Sequence, residues 1–163
     1  MRDVIVRDAV EADVDEILDV YESVAAEGRW IGGELPVDRD HHRTGRLETI
    51  RSPDGVLLVA EVNGLVVGEL SYRVSRGRAE LGMAIRDGHR GKGIGRALME
   101  AAIERARSQD LDKMFLHVWP HNEAAIALYE RLGFSREGYH PKQYRRRSGE
   151  AWDAISMGLV LKP

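Results

Sequence analysis

The sequence predicts an α/β (α+β) fold in which helices flank a mixed, mostly antiparallel central sheet. Strand and helix patterns follow one another in the order β-α-α-β-β-β-α-β-α-β-β, so three of the strands are consecutive. Asn63-Gly64 connects the first two of these three, and this dipeptide is the strongest short signal for an antiparallel hairpin. Because the 163 residues contain no repeat, linker or low-complexity segment, we expect one domain over residues 1–163.

The first third of the chain is predicted to hold one strand and two helices. Val4–Val6 is a short β-branched run that is typical of a strand. Acidic capping residues precede Val14, where an amphipathic apolar pattern begins, and Gly28 ends that helix. A glycine-rich loop that contains Trp30 follows. A polar helix is then expected over residues 38–51.

The remaining elements follow from turn residues and periodicity. The turn motif Ser52-Pro53-Asp54-Gly55 separates the second helix from the three strands. Apolar residues recur every three or four positions over Gly93–Arg107, as in a packed helix, and Gly133 is a typical helix stop. The predicted boundaries are strands over 56–62, 65–74, 78–85 and 114–118, helices over 93–107 and 123–131, and a closing hairpin over 134–139 and 151–161.

Composition and charge exclude several classes of protein. With 43% hydrophobic and 31% charged residues, the chain is neither disordered nor collagen-like. The absence of cysteine excludes disulfide scaffolds, thiolate zinc sites and cysteine nucleophiles. A net charge of −3 gives no reason to expect a nucleic-acid partner. No signal-peptide core or apolar stretch of bilayer length is visible, so we expect a cytoplasmic protein with no membrane association.

The most informative segment runs from Ile85 to Arg96, where a strand passes through a glycine-rich loop into a helix. The first turn of a helix carries unpaired N–H groups and the positive end of the helix dipole. Glycines there remove the Cβ atoms that would hold a phosphate away from the backbone, and cations add donors. The residues concerned are Arg90, Gly91, Lys92, Gly93, Gly95 and Arg96. The sequence therefore predicts an anion site.

Two common phosphate motifs do not fit this loop. A Walker loop needs Ser or Thr after Gly-Lys, but Gly93 follows Gly91-Lys92. A dinucleotide fingerprint needs a different glycine spacing, directly after an N-terminal parallel strand. A further interpretation is that the glycines serve only close packing at the start of a helix.

Two segments resemble the GNAT superfamily of N-acetyltransferases. Arg90-Gly-Lys-Gly93-Ile-Gly95 resembles its acyl-CoA signature, in which Arg or Gln, two variable positions, Gly, one variable position and Gly or Ala surround the pyrophosphate. The segment from Asn122 to Phe134 is similar to its second motif, with Asn at a helix start, Tyr129 within the helix and a terminal Gly-Phe. The element order also matches. Phosphinothricin or amino-acid and ribosomal-protein-type branches are the most similar, and a GNAT-like fold is expected.

The resemblance implies acetyl-CoA as co-substrate and a role for each matching residue. The backbone near the end of the third consecutive strand would pair with the pantetheine arm like an added strand, and amides of the glycine-rich loop would hold the pyrophosphate. Asn122 would contact the pantetheine, and Tyr129 would act as general acid near the thioester sulfur. The alternative interpretation is that Tyr129 is an aromatic residue of the core. The cofactor-binding set is Met83, Ala84, Ile85, Arg90, Gly91, Lys92, Gly93, Ile94, Gly95, Arg96 and Asn122.

The general base is less closely defined. Glu80 is the first candidate, because branches that resemble phosphinothricin acetyltransferases place Glu at the matching strand position. Glu69 on the preceding strand and His117 on the next compete with it. A structural or surface carboxylate, with water carrying the proton, remains an alternative. No metal is expected, since the six histidines show no ligand-like spacing with acidic residues.

The expected reaction is acetyl transfer to a primary amine, small or peptidic, by direct attack on the thioester. By resemblance, the loop between the first two helices and the closing hairpin border the acceptor site, so Trp30, Glu34 and Tyr144 are the candidate substrate-binding residues. A non-catalytic acyl-CoA-binding or regulatory domain and a nucleotide-binding protein remain alternatives. The resemblance also implies a homodimer, since dimers are common among such relatives, although no residue specifies one.

Two charged segments carry weaker expectations. Residues 1–27 hold nine acids and two arginines, which hints at a cationic acceptor if those acids border its site. The basic run Lys142–Arg147 is the most nucleic-acid-like feature, but beside a Ser-Gly turn it is interpreted as a solvated hairpin.

Overall fold

The computed structural model describes residues 3–163, and its strands form one seven-stranded sheet with helices on both faces. A 3-10 turn (Glu11–Asp13) precedes the first helix. Within the described residues, no helix is long and apolar enough to cross a membrane. The elements are β1 (Val4–Asp8), α1 (Val14–Glu27), α2 (Arg39–Arg51), β2 (Gly55–Val62), β3 (Leu65–Ser75), β4 (Arg78–Ile85), α3 (Ile94–Ser108), β5 (Lys113–Val118), α4 (Glu123–Arg131), β6 (Ser135–Arg145) and β7 (Ala151–Val160).

The strand order is β1-β2-β3-β4-β5-β7-β6, and β4–β5 is the parallel pair among antiparallel ones. This confirms the predicted mixed, mostly antiparallel sheet. The β4–β5 ladder is short: Arg78–Glu80 pairs with Lys113–Phe115 and no further register is formed. Residues 81–85 of β4 are therefore paired to β3 alone, which leaves a gap in the middle of the sheet.

Two hydrophobic clusters cover opposite faces of the sheet. The larger cluster contains Leu98 of α3 and Tyr129 of α4 together with Leu81 of β4. The smaller one contains Ile17 of α1 and Ala84 of β4. Because side chains alternate along a strand, the face that carries Ala84 also carries Gly82 and Glu80. The face covered by α1 is therefore the one on which the polar residues of β3, β4 and β5 meet.

The last hairpin differs from its predicted length. The first strand was expected over 134–139, whereas β6 extends to Arg145. The strand continues through Pro141 and the basic residues around it because β6 is an edge strand, where proline and charge are tolerated. A register shift between His140 and Tyr144 absorbs the irregularity, and Lys142 has a φ of 50° there.

The acidic N-terminal region is largely neutralised by arginines. Asp15 binds Arg43, and Asp19 and Glu22 both bind Arg39, so the acids of α1 hold α2 in place. These carboxylates pair with arginines between the two helices, so they do not support the hint of a cationic acceptor. Further pairs join Asp13 to Arg7, Glu11 to Arg51 and Asp8 to Arg105.

Candidate active site

A cavity of about 680 Å³ lies at the gap between β4 and β5. Its walls come from the two strands, the loop between α1 and α2, both helices beside that loop, α4 and β6. Glu80 is outside its lining and borders a neighbouring cavity instead. The predicted site residues that line the main cavity are Trp30, Glu34, Met83, Ala84, Asn122, Tyr129 and Tyr144.

The end of β4 has a free hydrogen-bonding edge at this cavity. Met83 and Ala84 pair with Leu70 and Glu69 of β3, and residues 81–85 have no described partner strand on their other side. In an antiparallel strand, alternate residues direct their N–H and C=O groups to opposite sides. An extended ligand that carries amides can therefore add to this edge as another strand would.

The loop after β4 leads into α3, and no side chain caps the first-turn amides of this helix. Gly93 is the N-cap residue, with a φ of 84° and no side-chain capping bond. Gly91 has a φ of 70°, so both positions need glycine for backbone conformation. Gly95 has a different reason: an added Cβ would lie 3.2 Å from Ile85 Cδ1 and 3.3 Å from Leu128 Cδ2. The packing interpretation therefore holds for Gly95, whereas backbone conformation explains the glycines at positions 91 and 93.

Two of the three cationic side chains predicted for this loop are paired with carboxylates. Arg90 donates to both carboxylate oxygens of Glu27, at 2.8 and 2.5 Å, and to the Ile85 carbonyl at 2.8 Å. Arg96 donates to Glu100 at 2.8 Å. Arg90 therefore ties the loop to α1 and β4, whereas Arg96 pairs within α3, so both guanidinium groups already have carboxylate partners. Arg86 Nε, at the start of the loop, is a buried donor without a partner among the described residues, which also fits an anionic ligand.

Tyr129 lies on α4 with its ring against Phe134, 5.9 Å between centroids, and is 8% exposed. It reaches the main cavity, and burial raises the pKa of its hydroxyl to about 12. The hydroxyl is therefore protonated at neutral pH. Asn122, the N-cap of α4, accepts a hydrogen bond from the Ala125 amide at 3.4 Å and also lines the cavity. The two predicted residues of the second motif are thus brought together.

A buried ion pair forms part of the cavity wall on the side of α2. Arg46 donates to both Glu69 oxygens, at 2.6 and 3.2 Å, and the two side chains are 16% and 7% exposed. The guanidinium carbon lies 5.0 Å from the centre of the Tyr21 ring. Burial raises the pKa of the Glu69 carboxyl, and the guanidinium opposes that rise. Sequence patterns did not reveal this pair, because Arg46 lies in a uniformly polar helix.

The loop between α1 and α2 is fixed by the closing hairpin. Tyr144 donates to the Gly32 carbonyl at 2.9 Å. Arg146 donates to the carbonyls of Ile31 and Gly32 at 3.0 Å each, and its guanidinium lies 3.8 Å from the Trp152 ring centre. At 5% exposure, Arg146 is not part of a solvated hairpin, so that prediction is wrong for this residue. The Glu34 carboxylate, 3.5 Å from Nε, balances its charge, and loop carbonyls and an aromatic face replace water around it.

Arg147, the next residue, also connects the closing hairpin to the loop between α1 and α2. Arg147 donates from its main chain to Glu34 at 3.0 Å, and its guanidinium donates to the carbonyls of Leu35 and Pro36. Arg147 and Glu34 both line the main cavity. The structure thus brings the predicted acceptor-side residues Trp30, Glu34 and Tyr144 to one wall.

Glu80 contacts the main cavity indirectly. Its Oε1 lies 3.2 Å from Nδ1 of His117, and His117 lines the main cavity. Glu80 itself borders the second cavity, of about 620 Å³, which shares Ser71, Leu81 and Gly82 with the first. Of the three candidate bases, Glu69 and His117 therefore face the site directly, and Glu80 lies behind His117.

The histidines of the cavity do not assemble a metal site. His41 and His42 lie edge to face with ring centroids 5.5 Å apart, and burial lowers the pKa of His42. Within residues 3–163, no group of three or more His, Cys, Asp or Glu side chains is placed to hold a metal ion.

Comparison with known proteins gives consistent matches. A model of the acetyltransferase (GNAT) family matches residues 17–134. The L-methionine sulfoximine/L-methionine sulfone acetyltransferase of Pseudomonas aeruginosa is 35% identical over 164 residues, which cover 97% of this chain and 95% of that protein. A ribosomal-protein-alanine N-acetyltransferase structure from Brucella melitensis has a TM-score of 0.86 at 31% identity and covers 96% of this chain and 99% of that one.

A structure of yncA from Salmonella typhimurium, with its cofactor acetyl-CoA, has a TM-score of 0.83 at 27% identity and covers 98% of this chain and 94% of that one. These matches confirm the fold and the family that the two sequence motifs predicted. The chain therefore belongs to the acetyltransferase (GNAT) family and is an acetyl-CoA-dependent N-acetyltransferase.

Proposed function

We propose that the acceptor is a free α-amino acid, acetylated on its amine inside the 680 Å³ cavity. The observation that carries this proposal is the match over 97% of the chain to an enzyme that acetylates L-methionine sulfoximine and L-methionine sulfone. The cavity walls agree with such a ligand, since they combine aromatic side chains with a cation. The assay is release of free CoA across a panel of L-amino acids, their amides, simple amines, polyamines, aminoglycosides and short peptides.

Acetyl-CoA would bind along the free edge of β4 and at the start of α3. The backbone of Met83, Ala84 and Ile85 would pair with the pantetheine amides, because residues 81–85 lack a partner on that side. Amides of residues 90–96 would hold the pyrophosphate, since first-turn N–H groups and the helix dipole favour an anion. Asn122 would border the pantetheine.

Tyr129 would give its proton to the departing thiolate. A hydroxyl whose pKa is raised to about 12 holds its proton throughout the physiological range, as a general acid requires. The burial that raises this pKa also favours protonation of a thiolate formed in the same cavity. Tyr129 therefore supplies a proton where the negative charge would develop.

The α-carboxylate of the acceptor would bind Arg147. This guanidinium lines the cavity and donates to backbone carbonyls, so its charge is not balanced there by a carboxylate, unlike that of Arg46 beside Glu69. Trp30 and Tyr144 would pack on the aliphatic part of the acceptor. The Glu34 carboxylate would hold Arg147 in place by accepting from the Arg147 main-chain amide.

R147Q should raise KM for amino acids about tenfold or more, because a charge-assisted hydrogen bond is worth about 1.5–3 kcal/mol. Steady-state kinetics should show kcat/KM for the matching amino-acid amide changing far less. R145Q removes the same charge from an exposed neighbour outside the cavity lining and should change neither value. An equal loss of kcat/KM for the amino acid and for its amide would contradict carboxylate binding by Arg147.

A second candidate acceptor is the N-terminal amine of a protein. The similarity to a ribosomal-protein-alanine N-acetyltransferase, at 31% identity over 96% of the chain, favours it. The second cavity, which continues from the first, offers room for residues beyond the amine. Alanine-terminated peptides that outperform every free amino acid in the CoA-release panel would favour this candidate.

G93A should weaken acetyl-CoA binding about tenfold, since forcing a φ of 84° on a residue with a Cβ costs roughly 1–2 kcal/mol and distorts the first turn of α3. Isothermal titration with acetyl-CoA measures the change. G149A imposes the same strain, at a φ of 91°, in the β6–β7 turn, and should leave binding unaltered. Unchanged affinity in G93A would argue against a pyrophosphate at this loop.

We further propose that residues 1–163 form one domain, because all described strands join a single sheet. The cytoplasmic location and the homodimer stay predictions. Size-exclusion chromatography with light scattering measures the second of these.

A further inference from the structure

The amine must lose a proton before it attacks the thioester, and three groups near the cavity are candidates to accept it. Glu69 is the least suited to accept this proton, since both of its oxygens accept from Arg46 and only 7% of its side chain is exposed. Glu80 is outside the lining of the main cavity. His117 lines that cavity and is 39% exposed, so its imidazole meets both the site and water.

The contact with Glu80 determines which nitrogen of His117 is free. A carboxylate only accepts hydrogen bonds, and its Oε1 lies 3.2 Å from Nδ1, so Nδ1 must carry the hydrogen. In the neutral ring, Nε2 then holds the lone pair. We propose that His117 is the general base of this acetyltransferase and that Glu80 is its positioning residue, fixing the tautomer and the orientation of the ring.

The groups packed around His117 support this division of roles. Glu80 comes from β4, and Ser156 of β7 is the register partner of His117. His140 of β6 has its ring centroid 5.7 Å away, but its Nε2 is 3.0 Å from the Ser156 hydroxyl, and His140 does not line the main cavity. Tyr129 and the Arg46–Glu69 pair border the same cavity from α4, α2 and β3. Glu80 is therefore the carboxylate in hydrogen-bonding contact with the ring.

The proton balance assigns different protons to His117 and Tyr129. His117 Nε2 takes one proton from the ammonium, and the free amine then forms the C–N bond with the thioester carbon. When the C–S bond breaks, the electron pair goes to sulfur, which takes the Tyr129 proton. The second amine proton restores Tyr129. The proton on His117 Nε2 then passes to solvent, which reaches the ring because 39% of the side chain is exposed.

The pH dependence of kcat/KM separates the two residues. The wild-type enzyme should show an acidic limb, because a protonated imidazole cannot accept a proton. H117Q should lose about 100-fold in kcat and lose that limb, as expected for a general base. E80Q should lose about three- to tenfold in kcat, keep the limb and leave KM for acetyl-CoA unchanged. H140Q is the matched control and should stay within about twofold of wild type.

The opposite pattern would overturn the proposal. If E80Q loses the acidic limb and H117Q keeps it, Glu80 is the base. Equal, small effects in both variants identify a relay through water. The proposal rests on acetyl transfer and not on the acceptor class, so the profiles are recorded with whichever amine is acetylated fastest. Nitrogen NMR shifts of His117 provide a readout apart from turnover. The neutral ring should carry its hydrogen on Nδ1 in wild type and should lose this preference in E80Q.

Discussion

Replacing Tyr129 by Phe is expected to lower kcat by at least about 100-fold while leaving acetyl-CoA binding intact, since general acid catalysis contributes about 10²–10⁴-fold. Phe keeps the ring that packs on Phe134 and removes only the hydroxyl of a residue that lines the cavity. Steady-state kinetics with saturating acetyl-CoA measures kcat, and titration calorimetry measures the affinity. If Tyr129 is only a core aromatic, neither kcat nor the affinity should change.

Y72F is the matched control for this substitution. Tyr72 is also buried, and its hydroxyl donates to Gln109 at 2.6 Å, outside the main cavity. Removing that hydroxyl should cost stability and leave kcat unchanged. If Y129F and Y72F have equal kcat values, Tyr129 is a core aromatic and not the acid.

The pH profile offers an independent check on Tyr129. A general acid must be protonated to act, and burial raises the pKa of this hydroxyl to about 12. Activity should therefore show no fall caused by Tyr129 up to about pH 10, two units below that value. A basic limb in kcat near pH 8 that disappears in Y129F would contradict this environment for the residue.

The features that sequence predicted are those whose chemistry is local. Gly28 ends α1 with a φ of 68°, as its position after the amphipathic pattern indicated. The polar helix predicted over residues 38–51 is α2, and Asp38 precedes it as the cap, accepting from the His41 amide at 3.0 Å. Gly91 and Gly93 have positive φ angles in the predicted loop. Each of these residues acts on its own few neighbours along the chain, so its pattern is visible without the fold.

The features that sequence missed depend on partners distant along the chain. Arg46 and Glu69 are 23 residues apart and meet only when α2 packs on β3. Arg146 binds carbonyls more than 110 residues before it, so a basic run next to a turn gave no indication of burial. The strand position of Glu80 makes it a candidate base, but its contact with His117 depends on the short β4–β5 pairing.

Replacing Glu69 by Leu should lower the free energy of unfolding by about 3–5 kcal/mol, because Arg46 is then left as a largely buried, unpaired charge. The double variant E69L/R46M should recover most of this loss, since apolar side chains of similar volume replace both charges. Urea denaturation of the wild type, both single variants and the double variant gives the coupling between the two residues.

An exposed ion pair provides the contrast. Glu48 and Arg73 lie 3.4 Å apart with side chains 61% and 50% exposed, so E48L should change the free energy of unfolding by less than about 1 kcal/mol. A similar small effect in E69L would mean that water reaches Arg46 and that this wall of the cavity is open. The double variant also separates structure from activity, because it keeps the fold but removes both charges from the cavity. If its kcat/KM for amino acids falls while its stability is restored, the pair contributes to the acceptor site as well as to the packing of α2 on β3.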